Sequence, residues 1–378
     1  MIDRTFRRTV VSSGFGRAAI VIAGIACAGA PALAQQCTIP PEIVTAITLT
    51  PDAEAQLRAC ALENARDLDS PDAQKRRASR QALTRPLEDP NVSAAFRLRY
   101  SAALAEPINR AVASTDEVVA VNALVFAGEL ATDPGLTVLL DQLASPRPAL
   151  RYQAAYGIRR TFGALQRSAP AIQNEQIDRA MRAARQRMGV ETDGLVLQAL
   201  TAALLEGASL PTAQFSQAQP LAVRSLSDGL SAHVGGAGGK IGEPGIMDAY
   251  LRGATGVRDI IAQPNVTIDA ETARAVAQLG GRLIAYAVRV VKDKNLPAGP
   301  GATREQVSDS VALGQTLVQL AGRSLNQQGT GAAQLAPLIK AGDVQSEARF
   351  LLDAQQTIGA NGVLTAAPFN FPDDHFVP

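Results

Sequence analysis

Apolar residues recur every three or four positions along most of the chain, which is the spacing of a helix with one buried face. Leu136, Leu139 and Leu143 share such a face, and a longer apolar stripe runs from Val276 to Val290. In the second half, this pattern predicts helices over 221–234, 244–261, 269–292, 303–326, 332–340 and 344–358. Composition agrees, because 47% of residues are hydrophobic, many of them alanine, and only 4% are aromatic. Alanine favours helices over strands, so the predicted fold class is all-α.

Several residues have the chemistry of helix starts. Ser70 and Ser145 each precede a proline, which suits a capping serine followed by proline in the first turn. Thr303 stands three residues before a glutamine and predicts a capping box, and Asp269 and Asp343 are predicted N-caps.

A short motif recurs in the first half with the order apolar, any, apolar, polar, alanine, then alanine or leucine. Copies begin at Leu98, Val119, Leu150 and Leu195, so successive starts lie 21, 31 and 45 residues apart. A helix hairpin with one apolar face cannot bury that face alone, and neighbouring hairpins therefore stack. The motif predicts stacked helix pairs with an irregular repeat length.

The segments around Leu98 and Leu150 resemble the second half of HEAT-type repeats, with Arg99 and Arg151 at the arginine position of that family. The resemblance covers about residues 70–205. It implies an irregular helical-repeat (HEAT-like) solenoid, followed here by a C-terminal helical bundle, and a surface that holds a protein or peptide. An irregular helical bundle throughout is the alternative interpretation.

The N-terminus has the features of an export signal. Four arginines and one aspartate precede an apolar stretch over 18–30, and Ala32-Leu33-Ala34 supplies small residues before Gln35. We expect cleavage after Ala34 and a periplasmic or secreted protein, by the general secretory route rather than the twin-arginine route because Phe6 stands where Ser or Thr is usual. The apolar stretch is too short to span a bilayer, so no transmembrane segment is expected in the mature chain.

The sequence pattern predicts five parts of the chain. They are a signal peptide (1–34), a helical-repeat domain (35–234), a glycine-rich hinge (235–245), a C-terminal helical domain (246–358) and a flexible tail (359–378). Because the tail carries Phe369, Phe371 and Phe376 among prolines, it either docks on the body or awaits a partner.

The cysteines predict one disulfide bond. Cys27 leaves with the signal, and Cys37 and Cys60 then reach a compartment in which disulfides persist. Their bond would attach the new N-terminus to the first long helix. Two buried free thiols are the alternative.

Charge excludes one class of partner and suggests another. The chain has 36 basic and 35 acidic residues, and loss of the signal leaves 32 and 34, a net charge of −2. Such a balance argues against non-specific nucleic-acid binding. Basic residues cluster on two predicted helices and form a candidate interaction patch for an acidic partner or an anionic envelope polymer, with a solvated face as the alternative; they are Lys75, Arg76, Arg77, Arg80, Arg179 and Arg182.

No motif predicts a catalytic, cofactor or metal site. The glycine-rich residues 235–242 lack the spacing of a phosphate loop, because Val234 and Ile241 stand where glycine and Ser/Thr are required. Asp228, Ser231 and His233 lie too close on one predicted helix to form a nucleophilic triad, and 373–375 offers only consecutive Asp-Asp-His.

The sequence therefore predicts an exported, non-enzymatic interaction or scaffold protein of the cell envelope that binds a protein or peptide and needs no cofactor. The alternatives are an envelope-polymer binding module and a hydrolase whose carboxylates are not recognisable among the 34 acidic residues of the mature chain.

Overall fold

A computed structural model describes residues 37–167, 171–236, 245–293, 303–326 and 334–377. These residues form an all-α fold, and their only β-type pairing is an isolated bridge between Thr132 and Ala171. The first helices are α1 (Pro41–Val44), α2 (Pro51–Ala65), α3 (Ala73–Thr84), α4 (Ala94–Val112), α5 (Glu117–Leu130), α6 (Asp133–Gln142), α7 (Pro148–Leu165) and α8 (Asn174–Val190). A 3₁₀ turn, Arg85–Glu88, follows α3. The remaining helices are α9 (Gly194–Gly207), α10 (Ala218–Gly235), α11 (Ile246–Ile261), α12 (Ala270–Lys292), α13 (Arg304–Ser324), α14 (Leu335–Ala341) and α15 (Val344–Ile358).

Side-chain caps define most helix starts. The capping box at Thr303 and the N-caps Asp269 and Asp343 are confirmed. The starts predicted at Ser70 and Ser145 lie two residues too early. Each serine hydroxyl accepts a hydrogen bond from the backbone N–H two residues later, and so it shapes the turn before the helix.

The helices from α2 to α13 pack in two alternating layers. The even layer is α2, α4, α6, α8, α10 and α12, in which each helix contacts the next one named. The odd layer is α3, α5, α7, α9, α11 and α13, with contacts in the same succession. The resemblance to HEAT-type repeats covers only about 70–205, whereas the alternation of contacts continues to α13.

The register of the odd layer matches the spacing of the sequence motif. Glu129 on α5 pairs with Arg160 on α7, 31 residues later. A Cβ atom built on Gly207 of α9 would lie 3.1 Å from Cε2 of Phe162, 45 residues earlier on α7. The motif copies at Val119, Leu150 and Leu195 have these same separations and occupy equivalent positions on α5, α7 and α9, whereas the copy at Leu98 lies on α4 of the even layer.

Two glycines allow α12 and α13 to touch through their backbones. A Cβ atom on Gly280 would lie 2.5 Å from the carbonyl oxygen of Gly314, and one on Gly314 would lie 2.7 Å from the oxygen of Gly280. Any side chain at either position therefore forces the helices apart.

We expect Gly280→Ala to lower the free energy of unfolding by about 1–3 kcal/mol, because the separation of the helices outweighs the better helix propensity of alanine. Gly163→Ala on α7 is the matched control. A Cβ atom there meets nothing closer than 3.5 Å, so the change should stabilise by about 0.5–1 kcal/mol. Denaturant unfolding measures both, and equal effects in the two variants would contradict the close approach of α12 and α13.

The C-terminal segment, which the sequence predicts to be a tail that either docks on the body or awaits a partner, packs on α12. Leu364, Phe369 and Phe376 are fully buried. A Cβ atom on Gly281 would lie 2.5 Å from both Leu364 and Phe376, so the bare backbone of α12 forms the seat for these side chains. Burial of these large apolar side chains holds the segment on the body, which is the first of the two alternatives that the sequence leaves open for the tail.

The disulfide bond between Cys37 and Cys60 is present, with the two Cα atoms 5.3 Å apart. The side chain of Asn64 on α2 donates a hydrogen bond of 2.9 Å to the carbonyl oxygen of Cys37. The start of the described chain is therefore attached to α2 by a covalent bond and a hydrogen bond.

The predicted signal peptide, 1–34, and most of the predicted hinge, 237–244, lie outside the described residues. The described residues from 37 onwards group into one compact unit, in which α11 packs on α9 and α12 packs on α10. Among the described residues, none of the helices is long and apolar enough to cross a membrane.

Candidate functional site

Three large apolar side chains are exposed on neighbouring helices of the odd layer. Val118 on α5 is 53% exposed, Tyr152 on α7 is 40% exposed and Leu195 on α9 is 63% exposed. Each belongs to the first turns of its helix, and α7 packs between the other two helices. Together with Tyr156 and Arg160 they define what we call the odd-layer surface.

The middle of this surface carries an aromatic column. The rings of Tyr152 and Tyr156 are stacked with centroids 6.4 Å apart, and the guanidinium of Arg160 lies 5.8 Å from the centroid of Tyr156. Arg160 also pairs with Glu129 of α5, and Arg159 pairs with Glu206 of α9. The surface therefore changes from apolar at the start of α7 to charged towards its end.

Amides occupy the polar position of the motif on the same three helices. Asn122 on α5 accepts a hydrogen bond of 2.6 Å from Arg80 on α3. Gln198 on α9 donates one of 3.0 Å to the carbonyl oxygen of Gly245, just before α11. The side-chain nitrogen of Gln153 on α7 is buried and has no acceptor among the residues that the structure describes. The outer amides thus bond neighbouring helices of the layer, and the central one retains an unused donor.

The predicted basic patch is divided between the two layers. Lys75, Arg76, Arg77 and Arg80 lie on α3 of the odd layer, whereas Arg179 and Arg182 lie on α8 of the even layer. Arg182 pairs with Asp178 at 3.2 Å, and Arg80 donates its hydrogen bond to Asn122 of α5. The six side chains therefore do not form one surface.

Arg76 must be removed from the predicted patch because it is buried. Its guanidinium donates hydrogen bonds of 2.7 and 2.9 Å to the carbonyl oxygens of Ser70 and Pro71. The side chain folds back onto the turn that precedes its own helix, and its role is to satisfy that turn.

Glu191, which no sequence motif singled out, is the centre of a buried charge network. Its carboxylate is fully buried and accepts two hydrogen bonds from Arg151, at 2.8 and 2.9 Å. Arg187 donates a third at 2.8 Å, and the backbone N–H groups of Thr192 and Asp193 donate at 2.9 and 3.0 Å. The network joins α7, the end of α8 and the start of α9.

Hydrogen bonding determines the charge of this carboxylate. Burial alone would raise the pKa of Glu191, but the bonds from Arg151, Arg187 and the two backbone N–H groups together lower it to about 2. The carboxylate is thus ionised at all physiological pH values. Every one of these partners is used in holding it, so the site is structural.

Arg151 in this network is one of the two arginines that carry the HEAT resemblance, and it is buried. Arg99, the other, is exposed and pairs with Glu54 of α2 at 2.8 Å. The two arginines therefore have different surroundings and different roles.

His233 on α10 is fully buried beside the same network. One ring nitrogen lies 2.8 Å from the carbonyl oxygen of Glu191, and the other lies 2.6 Å from the hydroxyl of Tyr250 on α11. Both nitrogens are thus occupied away from Ser231, while Asp228 pairs with Arg185 at 3.2 Å. These contacts do not arrange the three residues as a catalytic triad.

His375 belongs to an aromatic cluster. Its ring is stacked 5.1 Å from Phe371 and lies 4.7 Å from Phe376 at a steep angle. Burial, with Arg282 nearby, lowers its pKa. Within the part of the chain that the structure describes, no group of three His, Cys, Asp or Glu side chains is placed to hold a metal ion.

Comparisons with known proteins give no family. No family model matches the sequence, and no curated protein matches it. Two crystal structures of engineered proteins from the Northeast Structural Genomics Consortium are distantly similar. One is 16% identical with a TM-score of 0.32, over 70% of this chain and 97% of its own; the other is 14% identical with a TM-score of 0.30, over 89% and 91%.

Proposed function

We propose that this is an exported helical-repeat protein of the cell envelope that binds a segment of a partner protein on the odd-layer surface. The observation that carries the proposal is the row of exposed apolar side chains at Val118, Tyr152 and Leu195 on three successive helices of one layer. Exposed apolar groups on successive helices of one layer suit an extended peptide that crosses the helices, since such groups gain most from burial by a partner.

The alternating layers support the repeat interpretation. In helical-repeat proteins each unit contacts its neighbours along the chain and the stacked units present a continuous surface. Two turns here are built identically, which is expected of repeats: Arg76 donates to the carbonyls of Ser70 and Pro71, and Arg151 donates to those of the Ser-Pro pair at 145–146. Both arginines stand six residues after the serine.

Recognition on this surface would combine three kinds of contact. The stacked rings of Tyr152 and Tyr156 offer large rigid faces, which lose little entropy on binding. Arg160 and Glu129 at the other end provide charges for orientation. The unused donor of Gln153 can satisfy a backbone carbonyl of the bound segment after a small movement of its side chain.

Export is supported by the disulfide bond. A bond between Cys37 and Cys60 persists in the periplasm or outside the cell and is rare in the bacterial cytosol. It follows directly after the segment 1–34, which has the composition of a signal peptide.

Photo-crosslinking in the cells that make the protein tests the proposal. p-Benzoylphenylalanine is placed at Tyr152, at Leu195 or at Leu352; the last, on α15, is as exposed as Leu195, at 63%, and serves as the control. We expect a discrete heavier adduct in the envelope fraction from positions 152 and 195 and none from 352. Mass spectrometry of the adduct should identify peptides of a second protein.

Affinity for the crosslinked segment, made as a synthetic peptide, should fall about tenfold or more in Tyr152→Ser, as for an aromatic residue at the centre of an interface. Absence of adducts at 152 and 195, or equal adducts at all three positions, would refute the proposed surface. Adducts that carry glycan instead of peptide would show that the surface binds an envelope polymer, which is the alternative function.

A further inference from the structure

A cleft of about 600 Å³ opens in the even layer, between α8, α10 and α12. Arg185 lies on α8, Asp228 and Ser231 on α10, and Gln278 and Arg282 on α12. The cleft is thus formed by other helices than the odd-layer surface, and nothing in the proposed function uses it.

Arg282 is the unusual residue of this cleft. Arg185 has Asp228 as its ion-pair partner at 3.2 Å, but Arg282 has no acidic partner among the described residues. Its Nε is buried without a hydrogen-bond acceptor. Burial, followed by the positive charge of Arg289, lowers the pKa of Arg282. This guanidinium has lost part of its hydration on folding and has gained no oxygen in return, which costs free energy.

A second donor in the cleft is also without a partner. Ser231 is only 1% exposed, and its hydroxyl makes no hydrogen bond in the described structure. Serines in helices can satisfy themselves on a carbonyl of the preceding turn, and this one does not. The two residues that carry these unsatisfied donors lie on packed helices, α12 and α10, and both line the cleft.

The backbone beside Arg282 is kept free of side chains. A Cβ atom on Gly235 would lie 3.0 Å from both Cζ and Nε of Arg282, so the guanidinium lies directly over this glycine. On another side, its Cζ lies 5.6 Å from the centroid of the Phe376 ring. These contacts hold the charged group in place within the cleft without neutralising it.

The described residues that line the cleft include two guanidinium groups, of Arg185 and Arg282, and one carboxylate, of Asp228. One positive charge is therefore in excess, and it belongs to the residue without a partner. A guanidinium matches the paired oxygens of a carboxylate or a phosphate, and a hydroxyl can donate to the same group.

We propose that the cleft binds the oxyanion of a small ligand, a carboxylate or a phosphate group, with Arg282 as the principal donor and Ser231 as the second. The pair formed by Arg185 and Asp228 borders the bound group. Because the cleft and the odd-layer surface involve different helices and different chemistry, this proposal does not depend on the proposed function.

Nuclear magnetic resonance of the arginine Nε–H groups of the purified protein tests the proposal. The protein is titrated separately with acetate and with inorganic phosphate at constant ionic strength, and sodium chloride is the control. We expect a saturable shift of the Arg282 signal with one or both oxyanions, with a Kd on the order of 1 mM, as for a fragment-sized ligand. The comparison between acetate and phosphate shows which oxyanion the cleft selects.

Three variants make the test specific. Arg282→Gln should weaken binding about tenfold or more, and Ser231→Ala should weaken it about fivefold. The matched control is Arg274→Gln, which removes an exposed arginine from the same helix; that arginine also lies over a ring of the C-terminal segment, 5.4 Å from the centroid of Phe371. Its affinity should equal that of the wild type.

The proposal is overturned if neither oxyanion shifts the Arg282 signal more than chloride does, or if Arg282→Gln and Arg274→Gln weaken binding equally. If Arg282→Gln does not fold by circular dichroism, Ser231→Ala decides the matter, because it leaves the charge and the ring contact intact. Unchanged affinity in that variant excludes the cleft as the binding site.

Discussion

Replacement of Glu191 by alanine should lower the free energy of unfolding by about 3–5 kcal/mol, which is a large part of the stability of an ordinary domain. The carboxylate is fully buried, and its removal leaves the guanidinium of Arg151, with 7% of its side chain exposed, without a counter-charge. The backbone N–H groups of Thr192 and Asp193 lose their acceptor as well. Guanidinium chloride unfolding of the two proteins at pH 7 measures the difference.

The matched control is Asp178→Ala, which breaks another ion pair between residues four apart on α8. That pair, with Arg182, is exposed and should be worth no more than about 0.5 kcal/mol. A loss in Glu191→Ala as small as that in Asp178→Ala would show that the buried network is not a stabilising element.

The same carboxylate predicts how stability depends on pH. The pKa of Glu191 falls from an ordinary 4.5 to about 2 in the folded chain, so the unfolded state binds the proton first as the pH falls. Its contribution is fully present above about pH 4.5 and is lost progressively towards pH 2. In Glu191→Gln, the free energy of unfolding should fall less between pH 4.5 and pH 2.5 than it does in the wild type. An equal fall in both proteins would show that the network does not cause this pH dependence.

Loss of the disulfide bond should cost roughly 3 kcal/mol, as the chain-entropy estimate gives for a loop closed over a sequence separation of 23 residues. The double variant Cys37→Ala, Cys60→Ala removes the bond and leaves no free thiol at either position. Its denaturation midpoint in guanidinium chloride should fall accordingly.

Reductant provides an internal check on this second prediction. Dithiothreitol should bring the wild type down to the midpoint of the double variant and should leave the double variant unchanged. A wild type that does not respond to reductant while unfolded would carry free thiols, which is the alternative that the sequence left open.

Local signals in the sequence predicted the local structure. The capping box at Thr303 and the caps at Asp269 and Asp343 depend on residues within three positions of one another, and all are present. The errors at Ser70 and Ser145 arose because a serine before a proline can cap a helix or shape the turn ahead of it. Only the geometry of the backbone distinguishes these two roles.

The buried network escaped prediction because it joins distant parts of the chain. Glu191 and Arg151 are 40 residues apart, and nothing near Glu191 separates it from the other acidic residues. Arg76 was misassigned for a related reason. Its position in a basic run suggested exposure, whereas its side chain turns back to two backbone oxygens and is buried.

The separations between motif copies contained more information than their irregularity suggested. The intervals of 31 and 45 residues between Val119, Leu150 and Leu195 are the register of α5, α7 and α9, so helices and loops of different length change the period while the succession of contacts is kept. Beyond α9 the same alternation continues without the motif. The motif therefore could not indicate how far the packing extends.

The alternating packing has a mechanical consequence. Each helix of a layer packs on the helices two places before and after it in the chain. A pulling force between the chain ends would therefore separate neighbouring helices one after another and would not break a single central core. The segment between Cys37 and Cys60 cannot be stretched as long as the disulfide bond is intact. Under tension, the covalently closed first segment would thus keep its length while the later helices lengthen the chain.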